Sequence, residues 1–194
     1  ECYGFDPAKD AVEYACLNKL NVVQAGIDNM NVFDRQFDVV TMYNVLEHMA
    51  NPDKIIGEIH EKVLKLGGLL IIDVPNEFNP FQLAAQKTFD LKDWWIAPPA
   101  HLNYFSTDSL QALLEDKGFK VQYATASFPM EIFLLFGKNY VGDPTLGRTC
   151  HEERMNFENN LRATGNTETL YRFYEVLARE NLGRQVTLFA ERII

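Results

Sequence analysis

Leu64-Lys65-Leu66-Gly67-Gly68-Leu69-Leu70-Ile71-Ile72-Asp73-Val74 is the stretch that decides the fold. Its second half is a near-continuous apolar run. That is the pattern of a parallel strand covered on both faces, not of a hairpin strand with one wet face. Gly67-Gly68 in front of it predicts a tight turn. Upstream, Ile55, Ile56, Ile59, Val63 and Leu64 recur at helical spacing, and Asn51-Pro52-Asp53 predicts the cap of that helix. A helix returning through a turn into a buried strand is half of a parallel crossover.

The pattern repeats outward on both sides. Phe37 to Met42 predicts a strand that runs into Tyr43-Asn44-Val45-Leu46-Glu47-His48. Residues 2–5 predict a short strand ended by Asp6-Pro7, then a helix over 8–20 and a second strand over 22–27. Downstream, residues 75–101 predict a long irregular segment rich in aromatics. Ser106-Thr107-Asp108 caps a helix that Gly118 ends, and a strand over 119–126 follows. Residues 128–147 read as loop, with helices over 151–162 and 167–181 and a last strand over 185–193. Alternation of strand and helix predicts an α/β fold: a mostly parallel, Rossmann-like sheet flanked by helices, with the last strand antiparallel.

The bulk properties set outer limits. A chain of 194 residues suits one domain. Its net charge of −9 repels phosphate backbones, and no basic patch interrupts it, so no nucleic-acid partner is predicted. Cys2, Cys16 and Cys150 form no C-x-x-C pair, which argues against a disulfide framework or a zinc site and fits a cytoplasmic location. The longest apolar run is too short to span a membrane.

Four segments, in order, resemble class I S-adenosylmethionine (SAM)-dependent methyltransferases. They are Tyr3-Gly4-Phe5-Asp6-Pro7; Phe37-Asp38-Val39-Val40 leading to Asn44-Val45-Leu46-Glu47-His48; Leu64 to Ile72; and His101-Leu102-Asn103-Tyr104-Phe105-Ser106 followed by Leu110 to Leu114 and Gly118-Phe119-Lys120-Val121. The last is similar to a subgroup that includes ubiquinone and sugar O-methyltransferases. The resemblance covers about residues 1–127 plus the last strand, and Leu66 stands where the family usually has Pro.

The family's strand order is 3-2-1-4-5-7-6, and its first strand with the following D-x-G-x-G-x-G loop has no counterpart here. The resemblance therefore implies one methyltransferase domain over residues 1–194 that lacks its N-terminal segment, with a gap between the strands before Asp6 and before Asn44. It also implies a helical insertion at about 128–183 that roofs the substrate pocket or pairs two subunits as a homodimer.

Methyl transfer from SAM to a small molecule, at oxygen or nitrogen, is the implied activity. A non-catalytic methyltransferase-like domain used for binding or assembly is the alternative. The chain alone is expected to bind SAM weakly or not at all, because the glycine-loop amides would cradle the cofactor's methionine part. Asp6 ends its strand where a ribose-binding acid belongs. Asp28, one residue beyond the family's usual adenine-contacting acid, is the second cofactor candidate, with Asn44 and Glu47 at the third strand's end. His48 and His101 are the candidate general bases. Ubiquinone O-methyltransferases, which this chain resembles around Glu47-His48, have there an E-x-x-E-H run that can hold a divalent metal. Asn44 replaces its first acid, and one carboxylate and one imidazole make a weak donor set, so no metal is predicted.

Overall fold

A computed structural model describes residues 1–194. Two sheets carry the fold. β1 (Tyr3–Asp6) and β2 (Asn21–Gln24) form a parallel pair joined by helix α1 (Lys9–Leu17). β3 (Phe37–Tyr43), β4 (Leu64–Pro75), β5 (Phe119–Ala126) and β6 (Gln185–Arg192) form a second sheet in the order β3-β4-β6-β5. β3 and β4 are parallel, while β6 is antiparallel to both of its neighbours, so the last strand alone runs against β3, β4 and β5. The expected gap is present: no ladder joins β1 to β3.

The β4 stretch departs from its expected form in two ways. Gly67-Gly68 lies inside a continuous strand as a bulge. Between the Phe37–Leu64 and Val39–Leu69 pairs, β4 carries four residues where β3 carries one. Gly67 has φ 74°, and a Cβ on Gly68 would lie 2.8 Å from the Lys65 carbonyl oxygen, so both positions require glycine. The strand is also covered unequally. Leu64, Leu70, Ile72 and Val74 are fully buried, whereas Leu69 and Ile71 on the other face are half-buried.

The buried face packs on α2 (Pro52–Glu58) and α4 (Thr107–Asp116). Ile55 and Ile56 of α2 and Leu110 and Leu114 of α4 join Leu70, Ile72, Leu188 and Ala190 in one core. Asn51 caps α2 by accepting from the Lys54 amide at 3.0 Å. Ser106 and Ser109 close a reciprocal cap on α4. Over the opposite face, α7 (Thr167–Arg179) covers β5, with Leu170, Tyr174 and Leu177 in a second core beside Ala126. Tyr43, on β3, stays 56% exposed.

Two segments expected as irregular are helical. α3 (Pro80–Phe89) occupies the middle of the aromatic stretch. Asn79 accepts from the amides of Phe81 and Gln82, and Pro80 sits at the first helical position, a start signal that the aromatic content overshadowed. α6 (Pro144–Ala163) begins before residue 151 because Asp143 caps it through the amides of Thr145 and Leu146. A short α5 (Glu131–Leu135) precedes it. No helix is long and apolar enough to cross a membrane.

Candidate functional site

The gap between the sheets is a cleft of about 560 Å³. Asp6 and Pro7 form one wall, Gly26, Ile27 and Asp28 the rim, and Thr41, Val45 and Met49 the opposite wall. The cleft runs along both strands, from Tyr3 to Pro7 at β1 and from Phe37 to Met42 on β3, and Asp6 stands at the C-terminal end of β1, where α/β proteins bind ligands. Asp6 Oδ1 accepts from the Ala8 amide at 2.7 Å, which fixes the carboxylate and leaves Oδ2 for another donor. Asp28 lies in a single 3-10 turn, Ile27–Asn29. The two acids thus share one cleft despite their separation in sequence.

Asn44 and Glu47 part company with them. Asn44 has φ 51°, and its Oδ1 accepts from Gln185 Nε2 at 2.9 Å, so the side chain ties β3 to β6. Glu47 is 2% exposed and meets the two histidines instead. Neither residue lines the cleft that holds Asp6 and Asp28.

Glu47, His48 and His101 converge although 53 positions separate the histidines. The cause is a set of main-chain clasps. The Glu47 carbonyl accepts from the amides of Leu102 and Asn103 at 2.8 and 3.0 Å, and Asn103 Nδ2 donates to the Met49 carbonyl at 2.6 Å. The 101–103 segment is therefore fastened along 47–49. His48 Nδ1 lies 2.7 Å from the Ala100 carbonyl oxygen, and its Nε2 lies 3.6 Å from Glu47 Oε1. A carbonyl only accepts, so Nδ1 carries a proton, and in the neutral imidazole Nε2 is the nitrogen with the lone pair. The two imidazoles pack edge to face with centroids 5.0 Å apart.

Aromatic rings continue from this trio. Tyr104 stands 6.3 Å from His101 and 6.1 Å from Phe78, which in turn packs on Trp95 at 5.7 Å. The 78–105 segment thus does contain a joined aromatic surface.

A buried polar group beyond these rings escaped the sequence reading. Glu77 accepts from Gln82 Nε2 at 2.7 Å, and Glu131 pairs with Arg184 at 2.6 Å. Burial pushes the Glu77 carboxyl above the usual range; the Gln82 hydrogen bond and Arg184 oppose the rise, while Glu131 and Glu47 add to it. Asp73 is raised for the same first reason, burial, against a hydrogen bond from Thr187. The Asn76-Glu77-Phe78-Asn79 turn after β4 was the available signal, since polar residues at the end of a parallel strand face the ligand side.

Three comparisons bear on this arrangement. A family model described as a methyltransferase domain matches residues 1–124. An uncharacterized protein of Methanocaldococcus jannaschii is 29% identical over 133 residues, 66% of this chain and 60% of its own length. A protein of Mycobacterium tuberculosis named as a probable S-adenosylmethionine-dependent methyltransferase is 29% identical over 101 residues, 52% of this chain and 33% of its own length. The chain thus spans less than two thirds of either relative. Among solved structures, a SAM-dependent methyltransferase from Archaeoglobus fulgidus superposes with a TM-score of 0.56 at 18% identity, covering 98% of this chain and 76% of that one. One from Mesorhizobium loti gives 0.54 at 14% identity, covering 98% and 79%. At such identities the likeness is one of fold.

Proposed function

Because this chain belongs to the methyltransferase domain family, we propose that it serves SAM-dependent methyl transfer to a small molecule at oxygen or nitrogen. The observation that supports this most is that Asp6 and Asp28 line one cleft whose wall includes Val45 and Met49, the residues that flank Glu47 and His48 in the chain. Asp6 and Asp28 serve the cofactor in the cleft, and Glu47, His48 and His101 serve the acceptor beside it.

In this reading the Asp6 oxygen left free by the Ala8 amide takes the ribose hydroxyls. Asp28 takes the adenine amine. The acceptor stands among His48, His101, Tyr104 and Phe78. SAM, held by Asp6 and Asp28, would supply an activated methyl group to the acceptor's oxygen or nitrogen. His48 Nε2, with its lone pair free, accepts the acceptor's proton. Positioning supplies on the order of 7–11 kcal/mol and the base about 10²–10⁴-fold. The 128–183 unit roofs the acceptor or pairs two copies; deleting it abolishes turnover with SAM binding intact in the first case and turns a dimer into a monomer in the second, and if neither changes, its helices only complete the core that α7 forms on β5.

Nuclear magnetic resonance tests the cofactor assignment even where affinity is low. Millimolar SAM should shift the amide signals of Asp6, Ile27, Asp28 and Val45 and leave Tyr123 and Ala124 in place. In protein that binds SAM, Asp6→Ala should weaken binding by about 1.5–3 kcal/mol, the cost of losing a charged hydrogen-bond acceptor. Unchanged affinity in that variant would remove the assignment. Turnover is read by mass spectrometry of the intact protein with labelled SAM and a metabolite extract.

A further inference from the structure

We propose that Glu47, His48 and His101 form a binding site for one borderline divalent cation of the zinc or cobalt type. Each of the three residues offers a ligand atom, and these atoms lie within 4.8 Å of one another. Zinc–nitrogen bonds of about 2.0–2.1 Å put two ligands on a tetrahedral ion about 3.4 Å apart. His48 Nε2 and Glu47 Oε1, at 3.6 Å, already stand at that separation. The remaining closure falls to the His101 side chain.

A second observation is independent of the spacing. Glu47 Oε2 is buried and has no hydrogen-bond partner, and His101 Nδ1 is in the same condition. A desolvated carboxylate oxygen without a donor is costly, and a cation among the three groups resolves it. The Ala100 carbonyl supplies the outer contact that metal-bound histidines need, since it holds His48 Nδ1 and aims Nε2 inward. Asn44 contributes nothing here because Gln185 occupies it.

Two imidazoles with one carboxylate favour zinc or cobalt over magnesium or calcium, which prefer all-oxygen sets. Three protein ligands also leave coordination positions open. The site would pin the aromatic 78–105 segment to the end of β3. If the acceptor reading above holds, an acceptor hydroxyl on those open positions would lose its proton at lower pH than in water. His48 would then be a ligand, not the base.

Cobalt(II) titration of metal-stripped protein, with neither SAM nor acceptor present, tests the site itself. Visible d–d bands should rise and saturate at one equivalent, zinc should bleach them, and millimolar magnesium should not. Glu47→Gln and His101→Ala should each weaken binding by at least about tenfold, with His48→Gln as a further variant should either fail to fold by circular dichroism. His151→Ala, on α6, should bind like the parent. Failure of the bands to saturate, or Glu47→Gln and His101→Ala titrating like the parent, overturns the site and leaves the methyl-transfer reading standing. A cofactor shift that fails while the bands appear does the reverse.

Discussion

The two sheets differ in what covers them. Along β4 and β6, every second residue from Leu70 to Val74 and from Val186 to Ala190 is buried beneath α2 and α4. Along β1, α1 and β2 no residue is fully buried, and Tyr14, Leu17 and Leu20 are largely exposed. The four-stranded sheet therefore holds its form by its own core. The two-stranded pair is held mainly by its ladder and the turns of α1, and isolated pairs of this kind are marginal in water. The lesson concerns function, because the candidate cofactor acids sit on the uncovered unit while the trio sits on the covered one.

The largest effect that would break this comparison is a core truncation. Leu188→Ala, at a 0% exposed position between β4 and β5, should cost about 2–5 kcal/mol of unfolding free energy in denaturant titration. Val22→Ala, in half-buried β2, should cost less than about 1 kcal/mol. Equal costs would mean that the pair is as tightly packed in solution as the sheet.

Such contrasts show why the fold was more legible than the site. Apolar runs at Leu69 to Val74 and helical spacing from Ile55 onward report burial directly, and the structure follows them. The terminal strand's reversal was expected from a chain-terminal strand that follows residues 119–126, and β6 does run antiparallel to β5. What failed were short caps: Asn79-Pro80 and Asp143-Pro144 start helices inside stretches expected as loop, since local hydrogen bonds outweighed composition there.

In the site, His48 and His101 were recognisable as residue types. Their convergence on Glu47 was not, because it depends on two amides at 102–103 finding one carbonyl at 47. No spacing encodes that. The Glu131–Arg184 pair was invisible for the same reason, since 53 positions separate its partners.

A medium effect sharpens the comparison by testing a contact between two helices, α6 against α7. Glu158 on α6 accepts from Tyr174 on α7 and pairs with Arg154 and Arg162. Burial alone would raise its carboxyl, but the Tyr174 and Arg154 hydrogen bonds and the charges prevail and hold it below the usual range. Glu158→Gln should cost about 1.5–3 kcal/mol at neutral pH. A lowered folded value means that this contribution is full above the unfolded pKa and is lost as pH falls through the folded one. The gap between parent and variant should therefore shrink on acidification. Asp73 and Glu77, raised by burial, run the other way: they stabilise at acid pH and lose that contribution as pH rises through their folded values. Only the difference between parent and variant isolates Glu158. A gap that stays constant down through the carboxylate range would show that the hydrogen bonds matter and the charge does not.

The smallest expected effect is the most pointed. Leu17 ends α1 at 82% exposure, and Tyr14 one turn earlier is 72% exposed. A surface leucine away from caps and charges contributes within about ±0.5 kcal/mol, so Leu17→Ala should leave the denaturant midpoint almost unmoved. Alanine's slightly better helix propensity offsets part of what little burial is lost. The measurement should be repeated over a range of protein concentrations. If the variant is strongly destabilised only when concentrated, α1 packs against a second copy, and the unit carrying Asp6 and Asp28 is covered in solution after all. If it is destabilised equally at every concentration, α1 packs within its own chain, and the contrast between the two sheets fails. An unmoved midpoint throughout leaves α1 an open surface, and the cofactor wall of the cleft then rests on the least supported unit of the chain.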